Sequence, residues 1–316
     1  MRKLMRPLLA ALCVSGGGIL GVMHEREGYR FSSYNRNRFG QVLHAKVEGY
    51  DETDGKNRRN VSPGIPAAQS KLQKEDLERR RREIMRFGYP SLDNIKYKDN
   101  YVLSYNRRLR QANWVCEHLN KDIIRNQEAD RAKCDFVQDH EIHPLFRATN
   151  DDFRKTGYDR GHLAASANHR FSQDVNCQTF FLSNISPQVG SGFNRDAWQN
   201  LEKYVRNLPT TYKNVFVLTG PLFLPKFEQD GHLYVKYKVI GKNNVAVPTH
   251  FFKVILTESY QNQFEIQSYI LPNKPINEKI PLNNFQVPLE RIEKASGLLI
   301  FEKLPRSKVR EVRPVV

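Results

Sequence analysis

The sequence predicts an α+β fold in which a largely antiparallel central sheet is flanked by helices. Three observations carry that expectation. Runs rich in β-branched and aromatic residues recur between positions 101 and 272, from "YVLSYN" to "FEIQSYILP". Gly, Asn and Pro separate these runs, as they do between strands. Only one long helical pattern, residues 194–208, interrupts them, so the regular helical crossovers of a parallel sheet are missing.

Taken in order, the chain begins with Arg2, Lys3 and Arg6 and then carries no charge from 7 to 23. A basic head before an apolar stretch reads as a targeting segment over 1–23: a secretory signal, a mitochondrial presequence or a short membrane anchor. Gly16, Gly17 and Gly18 weaken any helix there. Residues 24–88 read as a polar linker, with a short basic helix within "KLQKEDLERRRREIMRFGYP" whose arginine run forms a solvated face. One domain is expected over 89–316. Its strands are "YVLSYN", "ANWVCEHL", "TFFLSN", "NVFVLTGPL", "YVKYKVIG", "VAVPTHFFKVILTE" and "FEIQSYILP", and its helices are 194–208 and a shorter one around "PLERIEKAS".

Charge narrows the partners. The 316 residues hold 50 Lys and Arg against 34 Asp and Glu, a net charge of +16. Residues 1–100 contribute 20 basic and 12 acidic residues, and 101–316 contribute 30 and 22. The globular part is basic in its own right, which suits a polyanion such as nucleic acid. Cys13, Cys116, Cys134 and Cys177 are too few and too scattered to frame a small disulfide fold and read as core cysteines. A zinc site from Cys116, His118, Cys134, His140 and His143 fits no standard ligand spacing.

The chemistry concentrates in "TGYDRGHLAASANHR" (156–170) and in "NRDAWQNLEKYVRNL" (194–208). Asn194, Trp198 and Glu202 follow an i, i+4, i+8 course, which places Asn194 and Glu202 on one helix face with Trp198 seating it. Phosphodiester hydrolysis needs a base, positive charge at the phosphate oxygens and a cation at the leaving oxygen. His162 suits the base, since its ordinary pKa lies near neutrality. Arg160 offers a fork of donors to phosphate, and Gly161 would let a substrate backbone come close. The amide oxygen of Asn194 suits hydrated Mg²⁺, with Glu202 holding its waters. Asp159 and His169 read as support. No phosphate-cradling Walker loop, His-Glu-x-x-His pair or Gly-x-Ser-x-Gly elbow competes.

With "YDRGHLAASANHR", "TFFLSNISPQ", "FNRDAWQNLEKY", "VFVLTGPLFLP" and "VIGKNNVAVPTHFFKV" in order, the chain from about 87 to 300 resembles the DNA/RNA non-specific endonucleases with the ββα-metal fold, and among them the mitochondrial endonuclease G branch. The resemblance implies His162 as general base, Arg160 as a catalytic phosphate contact, Asn194 as the direct ligand of Mg²⁺ or Mn²⁺ and Glu202 as the residue holding metal-bound water. It places Asn184 near the catalytic centre and among the substrate contacts, and Arg195, on the adjoining loop, is expected among those contacts as well. It implies cleavage of double- and single-stranded DNA and RNA to 5′-phosphate and 3′-hydroxyl ends, by a homodimer. It also favours the mitochondrial reading of 1–23: an enzyme of the intermembrane space or inner membrane, with residues 7–23 as a possible anchor, released to the nucleus to fragment DNA in cell death. Two departures mark this chain. The loop "VGSGFNRDAW" is a residue longer than in vertebrate members, and Arg195 stands where glutamine is usual. The exonuclease-like mitochondrial paralogue, which carries Ser-Arg-Gly-His, a secreted relative and a catalytically silent nucleic-acid-binding protein are the alternatives.

Overall fold

The central strands are buried on both faces, and that burial explains why their sequences read as nearly continuous apolar runs. A computed structural model describes residues 67–312. The targeting segment 1–23, its possible anchor at 7–23 and most of the expected linker lie outside the described residues. The described residues open with α1 (Ala67–Ile84), β1 (Ile95–Tyr97), β2 (Tyr101–Asn106), β3 (Gln111–Leu119), α2 (Lys121–Arg125) and α3 (Asn150–Phe153). It continues through β4 (Tyr158–His162), α4 (Gln173–Gln178), β5 (Ile185–Val189), α5 (Trp198–Asn207) and β6 (Asn214–Leu222). Four two-residue strands follow, β7 (Lys226–Phe227), β8 (Leu233–Tyr234), β9 (Val239–Ile240) and β10 (Val245–Ala246). The last elements are β11 (His250–Glu258), β12 (Phe264–Pro272), α6 (Leu289–Ser296) and β13 (Val309–Glu311).

Seven strands form one sheet in the order β1-β2-β3-β6-β11-β12-β13. Every neighbouring pair is antiparallel except β12 and β13. Alternation divides the central strands between two cores. Val215 and Val217 of β6 pack with Trp198, Leu201 and Val205 of α5 on one face. Phe216 and Leu218 pack with Leu289 and Ile292 of α6 on the other. Ile84, Met85 and Phe87 join this second core, so the packed body begins upstream of residue 89. The arginine run at the end of α1 is not a uniformly solvated face. Arg80 turns inward, donating through Nε to Asn100 Oδ1 at 2.6 Å and through Nη2 to the His118 carbonyl at 2.6 Å.

Away from this sheet, β4 and β5 form a separate antiparallel pair with His162 opposite Ile185 and Gly161 opposite Ser186. Together with α5 they make the ββα unit of the fold. Several sequence expectations shift here. "TFFLSN" is no strand: its end is a 3₁₀ turn, Leu182–Asn184, and the strand follows at β5. Its apolar run reflected burial, which a tight turn can satisfy as well as a strand. "YVKYKVIG" contributes only Tyr234 of β8 and the two-residue strand β9. The helix expected from 194 becomes regular at Trp198, whose N–H donates five residues back to the Phe193 carbonyl in a π-type turn. Upstream, Gly192 has φ +81°, and a Cβ there would stand 2.8 Å from Pro275 Cα, so only glycine fits the entry. Cys134 and Cys177, which the sequence offered only as core cysteines, form a disulfide; Cys116 is free and buried.

Candidate nuclease centre

Alternation along β4 places Arg160 and His162 on the same side of the strand, and both rings and charges meet Phe136 there. The Arg160 guanidinium lies 4.2 Å from the Phe136 ring centroid, and the His162 ring centroid lies 5.5 Å from it. Phe180 meets His162 edge-on at 4.7 Å. Arg160 is exposed, and its Nη1 donates to Asn150 Oδ1 at 2.7 Å. His162 is only 9% exposed, and its Nε2 is sealed without a hydrogen-bond partner, which leaves Nδ1 as the ring nitrogen open to the cleft. Burial first, then the charges of Arg131 and His169, pull its imidazole down to about 3. The ring is therefore neutral at physiological pH.

The main chain beyond His162 is held by Asn184. Its Oδ1 accepts from the Ala164 N–H at 2.9 Å, and its Nδ2 donates to the carbonyls of Ala164 at 3.0 Å and Thr179 at 2.8 Å. Asn184 is fully buried, and its amide is spent on the backbone that presents His162. Gly161 differs from expectation. A Cβ there would stand 2.0 Å from Gln188 Oε1, so the glycine makes room for a side chain of β5 rather than for substrate.

Asn194 lies across the cleft, at the entry to α5. Its Nδ2 donates to Asp159 Oδ2 at 2.9 Å. A carboxylate only accepts, so this bond fixes which end of the amide is which and leaves Oδ1 free. Arg195 does not reach out as a lone substrate contact: Nε and Nη2 grip Asp159 Oδ2 and Oδ1 at 2.9 and 2.6 Å. Although burial opposes it, hydrogen bonds from Arg195 and Asn194 hold the Asp159 carboxyl below its ordinary range. Asn194, Glu202, His162 and Arg160 line one cleft of about 690 Å³.

The family model for DNA/RNA non-specific endonucleases matches residues 80–307. The chain belongs to that family. Among its relatives, the human protein "Endonuclease G, mitochondrial" is 54% identical over 222 residues, covering 70% of this chain and 74% of that protein. The Caenorhabditis elegans protein of the same name is 50% identical over 231 residues, covering 72% and 75%. Among solved structures, EndoG in the crystal structure of the EndoG/EndoGI complex has a TM-score of 0.72 and 52% identity, covering 73% of this chain and 95% of that one. The chain is thus a nuclease with the ββα-metal fold of this endonuclease family.

Within this endonuclease, Glu202 is reached from α5 with Trp198 fully buried beneath it. Burial pushes the Glu202 carboxyl up to about 7, against the opposing charge of Lys253. Lys253 is buried under the same helix, its Nζ 4.7 Å from the Trp198 ring centroid and donating to Thr219 Oγ1 at 2.6 Å. The open donors are an amide oxygen and a carboxylate, both hard oxygens. No group of three or more His, Cys, Asp or Glu is poised for a metal among the described residues. That set suits a hard cation that keeps most of its own waters, as Mg²⁺ does, and not zinc. His169 is buried, with Nε2 2.9 Å from Glu117 Oε1 and Nδ1 2.9 Å from Asn100 Nδ2. Sequence reading missed Arg131, Phe136, Arg154, Lys203 and Arg206, which also line the cleft. Only Arg206, one helical turn beyond Glu202, carried a spacing that could have found it.

Proposed function

We propose that this endonuclease hydrolyses phosphodiester bonds of double- and single-stranded DNA and RNA with His162 as general base, leaving 5′-phosphate and 3′-hydroxyl ends. The observation that carries the reading is a neutral His162 with Nδ1 open to a cleft that also holds the free Oδ1 of Asn194. Arg160 and Arg131 bind the phosphate oxygens and place the phosphorus beside His162. His162 Nδ1 takes the proton of the attacking water, the ring carrying its own proton on Nε2, as the water oxygen bonds to phosphorus, the bond to the 3′ oxygen breaks and that oxygen takes a proton from solvent. A base near 3 is weak, but a phosphate anion set between Arg131 and the imidazole offsets the repulsion that depresses it and stabilises the imidazolium. Asn194 directly, and Glu202 through water, would hold Mg²⁺ or Mn²⁺, which supplies positive charge at the leaving oxygen.

The names of the relatives support a mitochondrial setting; on this reading 1–23 is the targeting segment, 7–23 its membrane anchor and 89–316 the catalytic domain. On this reading the enzyme resides in the intermembrane space or at the inner membrane and reaches the nucleus in cell death. Phe227, Leu233, Tyr234, Val235 and Val239 expose an apolar patch around the β7–β8 hairpin, which supports a homodimer. The test is nicking of supercoiled plasmid by the pure protein with Mg²⁺ and with chelator. Wild type should cut only with metal, and His162→Ala and Asn194→Ala should each lose at least about 100-fold in rate while still unfolding in one cooperative transition. Cutting in chelator, or wild-type rates from His162→Ala, would overturn the assignment.

A further inference from the structure

We propose that Arg195 is a positioning residue for the cation ligand Asn194, acting through Asp159, and not a contact for the nucleic acid. The inference rests on the reading of Asn194 as that ligand and adds what holds its amide. Asp159 Oδ2 accepts from both Asn194 Nδ2 and Arg195 Nε at 2.9 Å, and Oδ1 accepts from Arg195 Nη2 at 2.6 Å. The guanidinium presents its fork to both carboxylate oxygens, which fixes the carboxylate in plane and in rotation. A carboxylate so fixed holds the Asn194 amide with its oxygen outward. Released, the amide could turn its N–H₂ toward a cation, which repels it.

The loop is built around this grip. A Cβ at Gly190 would stand 3.0 and 3.1 Å from the Asp159 carboxylate oxygens and 3.2 Å from Arg195 Nη2, so the space beside the pair is kept by a glycine. Asp196 Oδ2 accepts from the Gly192 N–H at 2.6 Å, and the Gly192 carbonyl accepts from the Ile276 N–H at 3.1 Å. The turn that carries Asn194 and Arg195 is thereby pinned on both sides. Arg195 lies at the cleft margin with its side chain 67% exposed, so its contribution is screened and should be modest.

The test separates the two roles of Arg195 without using activity. Mn²⁺ is titrated calorimetrically into metal-free wild type, Arg195→Gln, Arg195→Lys and Asn194→Ala, and the affinity of each for a short DNA duplex is measured by fluorescence anisotropy in chelator. Partners that orient a metal ligand cost about 10- to 100-fold in affinity when lost, and Arg195 stands one bond further out, so Arg195→Gln should weaken Mn²⁺ roughly 3- to 10-fold. Arg195→Lys, which keeps the charge without the fork, should fall between. DNA affinity in chelator should stay within about twofold, since the charge lost is already paired. Unchanged Mn²⁺ affinity in Arg195→Gln, or a larger fall in DNA affinity, overturns the proposal. If Asn194→Ala loses Mn²⁺ and Arg195→Gln does not, only the Arg195 role fails. If Asn194→Ala binds Mn²⁺ like wild type, the ligand reading fails and takes this inference with it.

Discussion

His162 and His118 are both held near 3 by burial, with Arg131 and His169 acting further on His162 and Arg80 on His118. In the unfolded chain each returns to about 6.5 and takes up a proton that the native chain refuses. Their contribution to stability is therefore complete above 6.5 and is lost as pH falls toward 3, by up to about 1.4 kcal/mol per pH unit for each ring. Glu202 has the opposite sign. Raised to about 7 from 4.5, it stabilises fully below 4.5 and loses that effect as pH rises through 7. Between 4.5 and 6.5 it offsets one histidine, and below 4.5 both histidines act unopposed. Urea unfolding of the metal-free protein should thus show stability falling slowly from pH 6.5 to 4.5 and faster below, with a shallower fall in His118→Gln. Equal slopes in wild type and variant would show that His118 is not buried neutral. At this scale the motifs brought His162, Asn194 and Glu202 forward as candidates by residue type and spacing, and the three line one cleft. Asn184, Gly161 and Arg131 were not legible, since their roles depend on Ala164, Gln188 and Phe180, which only the folded chain brings to them.

Among the elements, the segment from Glu128 to Val137, which brings Arg131 and Phe136 to the cleft, is held by long-range ties. Its start is bonded to the Arg170 carbonyl by the N–H groups of Glu128 and Ala129 at 2.8 and 2.9 Å, and its end to the Phe180 carbonyl by Val137 at 3.2 Å. Between them the Cys134–Cys177 disulfide joins it to α4. The bridge spans 43 residues that include all of β4, so it closes a loop around the catalytic strand. In the chain-entropy description a loop of that size is worth about 4 kcal/mol through the unfolded state. Thermal and urea unfolding with and without a phosphine reductant should show a loss approaching that figure, reproduced by Cys134→Ser with Cys177→Ser. Identical melts would mean that noncovalent ties alone hold the segment. The pairing was not readable from the sequence, because four scattered cysteines carry no geometry. The central strands were readable, since β6 and β11 are buried along nearly their whole length and their composition follows from that. "TFFLSN" misled for the same reason: a buried apolar run specifies burial, and the 3₁₀ turn at Leu182–Asn184 supplies it.

Over the whole molecule the net charge of +16 is spread along the chain, yet the cleft concentrates the part that can act on substrate. Six cationic side chains line it: Arg131, Arg154, Arg160, Arg195, Lys203 and Arg206. Arg154 is paired with Asp151 at 2.8 Å and Arg195 with Asp159 at 2.6 Å. The other four form no salt bridge among the described residues, and these are the charges a phosphate backbone can neutralise. Each phosphate so bound releases condensed counterions, so log affinity should fall with log salt at about −0.9 per contact on duplex DNA and −0.7 on single strands. Four contacts predict a slope of about −3.6 for a short duplex and about −2.8 for a single strand, measured by anisotropy in chelator over a KCl series. Arg206→Gln should remove close to one contact from that slope, whereas Arg154→Gln should change it less because Arg154 is already paired with Asp151 and makes no counted phosphate contact. A slope of −1 or shallower would place the substrate path away from this cleft. An unchanged slope in Arg206→Gln would instead end the phosphate track before the C-terminal half of α5.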